Sequence, residues 1–145
     1  MLKGEYNHSI DTKGRLTVPF RFRDVLGDSF VITRGFEGCL SAYPMERWER
    51  IEKNLMALSL TNAAGRKLTR LFLGNAIDCE VDKMGRILIP QPLRNAAGIT
   101  RDVVITGLGD HIEVWDSAAW NQINGADALA NLTEDELQSI EELEL

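Results

Sequence analysis

The feature that most constrains this chain is an internal repeat. Asp11-Thr12-Lys13-Gly14-Arg15-Leu16-Thr17-Val18-Pro19 matches Asp82-Lys83-Met84-Gly85-Arg86-Ile87-Leu88-Ile89-Pro90, and the same register pairs Arg23 with Arg94 and Gly27 with Gly98. After a two-residue adjustment, Phe30-Val31-Ile32-Thr33 falls on Val103-Val104-Ile105-Thr106. Cys39-Leu40-Ser41-Ala42-Tyr43 then falls on His111-Ile112-Glu113-Val114-Trp115, and Trp48 on Trp120. Chance could supply the short Asp-x-x-Gly-Arg match, but not the ordered series, so two copies of one module make up most of the chain.

Each copy has one physical plan. A β-rich run (Gly4 to Ile10; Ala76 to Val81) enters the Asp-x-x-Gly-Arg tetrad. Aspartate bonds backbone groups two residues on and glycine supplies positive φ, so the tetrad is a tight reversal. A short strand of β-branched and aliphatic residues follows. Proline then opens a short helix (Pro19 to Leu26; Pro90 to Ala97), which Gly27 and Gly98 stop. A hairpin comes next, turning at Gly35 to Gly38 and at Gly107 to Asp110. Between the copies, Met45, Trp48, Ile51, Leu55 and Leu58 recur at helical spacing. Asn62 can cap a second helix with Ala64, Leu68, Leu71 and Phe72 on one side and Arg66, Lys67 and Arg70 on another. Trp120 and Ile123 suggest a short helix after the second copy, and Gly125 to Asp127 a linker. Thr133 and Glu136 form a capping-box pair, with Leu132 and Leu137 placed as a hydrophobic staple, which predicts a short, loosely held acidic helix. The expected organisation is a first repeat over 1–50, inter-repeat helices over 51–74, a second repeat over 75–122, and a linker with an acidic tail over 123–145.

Charge matters here through its distribution. The net charge is −6, but the stretch from Thr133 onward holds six acidic residues and no basic one. The preceding 132 residues carry 16 acidic and 16 basic side chains. Between Met1 and Arg23, Lys3, Lys13, Arg15, Arg21 and Arg23 stand against only Glu5 and Asp11. A neutral body with a locally basic end is compatible with DNA binding without demanding it. No apolar run has the length of a membrane span, and the N-terminus lacks the apolar core of a secretory signal. Two cysteines do not make a disulfide scaffold, so a reducing cytoplasm is expected.

GEYNHSIDTKGRLTVP, GCLSAYPMERWERI and CEVDKMGRILIPQPLR together resemble the MraZ family, within the wider AbrB-type (SpoVT-AbrB domain) swapped-hairpin group of DNA-binding proteins. The resemblance runs from Met1 to about Trp120, and the acidic tail lies outside it. It implies a β-rich α+β fold in which each repeat is half of an interlocked, pseudo-symmetric, double-psi-like β-barrel with flanking helices. It also implies a ring-shaped, octamer-like homo-oligomer in the cytoplasm, associated with the nucleoid. The implied partner is double-stranded DNA, at repeated promoter sites upstream of the chain's own cell-division and cell-wall operon.

The resemblance assigns DNA contact to the duplicated turn, hence to Asp11, Lys13, Gly14 and Arg15 and to Asp82, Lys83, Gly85 and Arg86. A guanidinium offers paired donors that match a phosphate or a guanine edge, and lysine adds sequence-independent attraction. The competing reading is structural, with Asp11–Arg15 and Asp82–Arg86 as ion pairs that only pin the turns. Arg21, Arg23 and Arg94 either extend the basic face or lie on a solvated helix surface. Arg66, Lys67 and Arg70 are expected at the surface or in subunit contacts. Cys39, Cys79, His8 and His111 lack metal-ligand spacing, so no metal and no cofactor is expected. No nucleophile elbow, Walker loop or dinucleotide fingerprint occurs, and no carboxylate pairing calls for acid–base catalysis. Trp48 and Trp120 are read as core. The expected function is a non-enzymatic, sequence-specific transcriptional regulator with no small-molecule substrate. The rivals are an antitoxin-like relative that binds a protein toxin, and a pure assembly protein whose basic turns are structural.

Overall fold

The computed structural model describes residues 1–144. Among these residues eight strands and six α-helices follow the plan of the repeat. In the first copy these are β1 (Leu2–Ser9), β2 (Arg15–Thr17), α1 (Phe20–Leu26), β3 (Ser29–Arg34) and β4 (Leu40–Pro44). The helices α2 (Met45–Ser59) and α3 (Ala63–Phe72) lead to the second copy, with β5 (Ile77–Glu80), β6 (Arg86–Leu88), α4 (Gln91–Ala96), β7 (Asp102–Gly109) and β8 (Ile112–Asp116). The short helices α5 (Ser117–Asn124) and α6 (Glu134–Ser139) follow the second copy.

The two copies interleave in one antiparallel sheet of order β1-β7-β8-β4-β3-β5. Exchanging the copies reverses that order onto itself, which places a pseudo-two-fold between β8 and β4. The first strand of each copy therefore pairs with the third strand of the other: Tyr6 lies opposite Ile105, and Phe30 opposite Cys79. A separate two-stranded ribbon joins β2 to β6. The architecture is β-rich α+β with a large antiparallel sheet. Among the described residues its ladders do not close into the expected barrel, because β1 and β5 remain edges.

Alternation along the strands sends one side of each inward. Leu16 and Val18, with their counterparts Ile87 and Ile89, meet Phe22, Phe30, Ile32, Leu93, Val103 and Ile105 in one core drawn from both copies. A second cluster of Val31, Tyr43, Trp48, Leu55 and Phe72 seats α2 and α3 on the opposite side of the sheet. The buried Thr33 hydroxyl donates to the Phe72 carbonyl at 2.7 Å, fixing the end of α3 to β3. Such a bond contributes about 1 kcal/mol net.

Several expectations need correction. On α3, Ala64 and Leu71 face outward, whereas Gly65 and Phe72 are buried. A Cβ at Gly65 would stand 2.6 Å from Leu58 Cγ, so the two helices meet through the missing side chain. Asn62 does cap α3, accepting the Gly65 N–H at 3.0 Å. Gly107 is not in the second hairpin turn but inside β7, opposite Gly4, and the chain reverses beyond Gly109 instead. Trp48 is buried, while Trp120 is half-buried, edge-on to Trp115 at 5.7 Å. The Thr133–Glu136 capping box is present, and α6 buries no residue. No helix among the described residues is long and apolar enough to cross a membrane.

Candidate nucleic-acid interface

The two Asp-x-x-Gly-Arg segments form the same turn twice. Asp11 accepts the backbone N–H groups of Lys13 and Arg15, each at 2.9 Å, on one carboxylate oxygen. Its other oxygen accepts Arg15 Nε at 2.7 Å. Asp82 does likewise for Met84 and Arg86, with Arg86 Nε at 3.0 Å. The Arg15 backbone N–H above all, and then its guanidinium, holds the Asp11 carboxyl below its ordinary range; Arg86 does the same for Asp82. Gly14 and Gly85 turn the chain at φ values of +86° and +77°, where a side chain would be strained.

The ion pairs of the structural reading are therefore real, but each uses only Nε. Among the described residues, the terminal nitrogens of Arg15 and Arg86 carry no protein hydrogen bond. The ribbon places Arg15 opposite Leu88 and Thr17 opposite Arg86, with Leu16 and Ile87 paired between them. Leu16 and Ile87 are buried, so Arg15, Thr17, Arg86 and Leu88 share the outward face. The ribbon is antiparallel, so the two turns stand at its opposite ends, each with an exposed lysine, Lys13 or Lys83. The eight turn residues singled out from the sequence thus flank one short ribbon, four at each end. A two-stranded ribbon has the dimensions to enter the DNA major groove.

Arg23 and Arg94 are half-buried, and each reaches across to the turn of the other copy. Arg23 Nε donates to the Val18 carbonyl at 3.0 Å, and its terminal nitrogens lie against Gly85 of the opposite copy. Arg94 Nε donates to the Ile89 carbonyl at 2.9 Å, with its guanidinium over Gly14. The repeat register, which pairs both arginines and both glycines, was the available sequence signal. Its meaning lay in a contact between copies that spacing does not encode.

The sulfur and imidazole groups do not assemble. Among the described residues no three His, Cys, Asp or Glu side chains come together to hold a metal. Both cysteines are buried and free, and burial raises the thiol pKa of each, that of Cys79 to about 12. His111 Nδ1 lies 2.8 Å from Asp110, which also accepts Arg47 Nε at 2.6 Å.

The interleaved sheet, the doubled basic turn and the ribbon that joins them define a tandem-repeat β-module. A family model described as "MraZ protein, putative antitoxin-like" matches twice in succession, over residues 1–71 and 72–142. A protein of Heliobacterium modesticaldum named transcriptional regulator MraZ is 49% identical over 124 residues, covering 86% of this chain and 87% of its own. The protein of that name from Alkaliphilus metalliredigens is 46% identical over 144 residues, covering 99% of each chain. One from Caldanaerobacter subterraneus is 46% identical over 84% of this chain and 85% of its own. The chain belongs to the MraZ family.

Proposed function

We propose that this chain is a non-enzymatic, sequence-specific DNA-binding transcriptional regulator. In this reading Arg15 and Arg86 contact the DNA, Lys13 and Lys83 attract its backbone, and Asp11, Asp82, Gly14 and Gly85 shape the turns that present them. The observation that carries the proposal is the common outward face of Arg15 and Arg86 on one ribbon, with their terminal nitrogens uncommitted. A pin for the turn needs only the Nε bond that each already makes. The regulator role named for the relatives supports the same reading.

The targets we propose are repeated promoter sites of the chain's own cell-division and cell-wall operon, bound at the nucleoid in the cytoplasm. The ribbon and the six-stranded sheet share one core, which supports a swapped-hairpin, double-psi-like arrangement in which they act as two walls of a barrel. A ring-shaped homo-oligomer belongs to the same proposal. The exposed Met56, Leu58, Leu60 and Leu71 around α2 and α3 offer apolar surface for it.

Titration against a promoter-repeat duplex and a random duplex, each at two salt concentrations, tests the function. Regulation requires a large affinity ratio between the two duplexes, persisting as salt rises. Equal affinities that collapse together with salt would leave only non-specific attraction.

A further inference from the structure

The arginines on the short helices make the least expected contact in the molecule. Arg23 starts on α1 of the first copy and ends against the turn of the second. Its guanidinium meets the Val18 carbonyl on Nε at 3.0 Å, the backbone of Gly85, and the Phe20 ring, whose centroid lies 5.8 Å away. Gly85 is buried beneath it, and a Cβ there would collide with the terminal nitrogens. The backbone closes the same joint, because Val18 N–H donates to the Gly85 carbonyl at 2.9 Å. The other half repeats the arrangement. Ile89 N–H donates to the Gly14 carbonyl at 2.8 Å, Arg94 Nε holds the Ile89 carbonyl, and a Cβ on Gly14 would stand 2.9 Å from Arg94 Nη2.

We propose that Arg23 and Arg94 are positioning residues that act across the repeat: Arg23 sets the turn that presents Arg86, and Arg94 the turn that presents Arg15. The inference rests on the DNA-binding reading above and adds the coupling between its two halves. A guanidinium suits the task because it is flat and carries donors in a fixed fork. It can bond Val18 with one edge while its face and far edge cover a backbone that has no side chain. An ammonium has neither the plane nor the fork. Glycine at 14 and 85 then has two reasons to be there, the positive φ and the room for an arginine from the other copy. The clamps are not equal, since position 91, which corresponds to Phe20, is a glutamine that bonds Asn95 instead. The geometry leaves Arg23 the more tightly enclosed.

The test uses the full-length chain with Arg23→Gln, Arg23→Lys and Arg94→Gln, each confirmed folded by circular dichroism. Backbone amide shifts and exchange rates are read first, without DNA. Arg23→Gln should disturb Gly85 and Arg86 and leave Gly14 and Arg15 alone, while Arg94→Gln should do the reverse. Disturbance of both turns by either change, or of neither, would overturn the cross-repeat clamp. Promoter affinity is read second, in crossed double variants. Arg23→Gln should weaken binding by about ten-fold in the parent and in Arg15→Ala, but add little in Arg86→Ala, with an unchanged salt slope. Arg23→Lys should not rescue. If Arg23 touches phosphate instead, its effect adds fully in both backgrounds, the salt slope falls by about one, and lysine restores much of the binding. Should Arg15→Ala and Arg86→Ala both leave promoter binding intact, the DNA-binding reading fails, and the amide measurements still decide the clamp.

Discussion

Arg15 and Arg86 lie diagonally across the β2–β6 ribbon on its outward face, Arg15 opposite Leu88 and Arg86 opposite Thr17. Diagonal neighbours on such a face are roughly 7–8 Å apart. Each guanidinium keeps its own aspartate, at 2.7 Å and 3.0 Å. Replacing either arginine with alanine should weaken promoter binding by roughly 1–3 kcal/mol per lost base contact. The turn should survive, because the aspartate still accepts two backbone N–H groups. Circular dichroism and a DNA titration on the same samples check this. Equal loss of folded signal and DNA affinity would make the arginines structural.

The two aspartates give the turns a defined pH dependence. Both have folded pKa values below their ordinary 3.8, chiefly through the backbone N–H groups of Arg15 and Arg86. A group whose pKa is depressed by folding contributes stability above its unfolded value, and loses that contribution as pH falls through the folded one. The turns should therefore be insensitive to pH near neutrality and loosen only in acid, below 3.8. Carboxyl NMR titration of the folded chain should place both midpoints below those of exposed aspartates. Asp82→Asn should mimic the acid form at neutral pH by turning an amide donor towards Arg86 Nε, seen as faster exchange of the Arg86 amide. Midpoints at or above the ordinary value would contradict the hydrogen bonding described.

How much of this was legible in the sequence depended on whether the cause was local. The Asp-x-x-Gly-Arg turns were, because aspartate, glycine and the strand pattern act within five residues. So was the Asn62 cap, which is a bond to Gly65. The pairing of β1 with β7 and of β3 with β5 was not, since period-two alternation says which side of a strand is buried but not what lies beside it. Ala64 and Leu71 were misplaced because helical spacing cannot anticipate that Gly65 would be the point of closest approach to α2. Gly107 invited a turn for the same reason: glycine marks both tight turns and close crossings, and only the partner strand distinguishes them.

Gly107 therefore carries a stability prediction. Its φ is ordinary for any residue, but an added Cβ would stand 2.5 Å from Lys3 N and 2.7 Å from Leu2 C. These are backbone atoms of a paired strand and cannot rotate away. Gly107→Ala should destabilise the fold by about 1–3 kcal/mol, the usual cost of overpacking, in spite of alanine's lower chain entropy. Denaturant unfolding measures it, with exchange of the β1 amides reporting where the pairing opens. A neutral or stabilising effect would mean that β1 is free to shift on β7.

The two ends of the ribbon differ in charge, although their folds match. Ile10 N–H donates to the Arg101 carbonyl at 2.8 Å beside the first turn, and Val81 N–H donates to the Asp28 carbonyl at 2.9 Å beside the second. An exposed arginine thus occupies the place taken by an exposed aspartate in the other copy. Phosphate attraction should be stronger at the Lys13 end. Arg101→Ala should lower DNA affinity and reduce the salt slope by about one, whereas Asp28→Asn should raise non-specific affinity, most visibly at low salt. Salt-dependent titrations of the two variants check the pair. Identical responses would mean that neither residue lies near the bound backbone.

The interleaving of the copies predicts what half a chain would do. A polypeptide ending at Ala57 keeps β1 to β4 but loses β5, β6, β7 and β8, and with them the partners of β3, β2, β1 and β4. Only the β3–β4 hairpin retains its own ladder. Leu16, Val18, Phe22 and Phe30 also lose the Ile87, Ile89, Leu93 and Val103 side of the core. A hairpin and two lone strands with four orphaned edges and half an apolar core are not expected to persist alone in water. A second copy can supply what was lost, because each first strand could pair with the third strand of its partner as the two repeats do within the chain. The truncated protein should therefore run as a folded dimer at high concentration, and should lose structure or aggregate on dilution. Sedimentation combined with circular dichroism across a concentration series checks this. A folded, soluble monomer that persists on dilution would show that one repeat suffices, and that its strand exchange with the other is dispensable for folding.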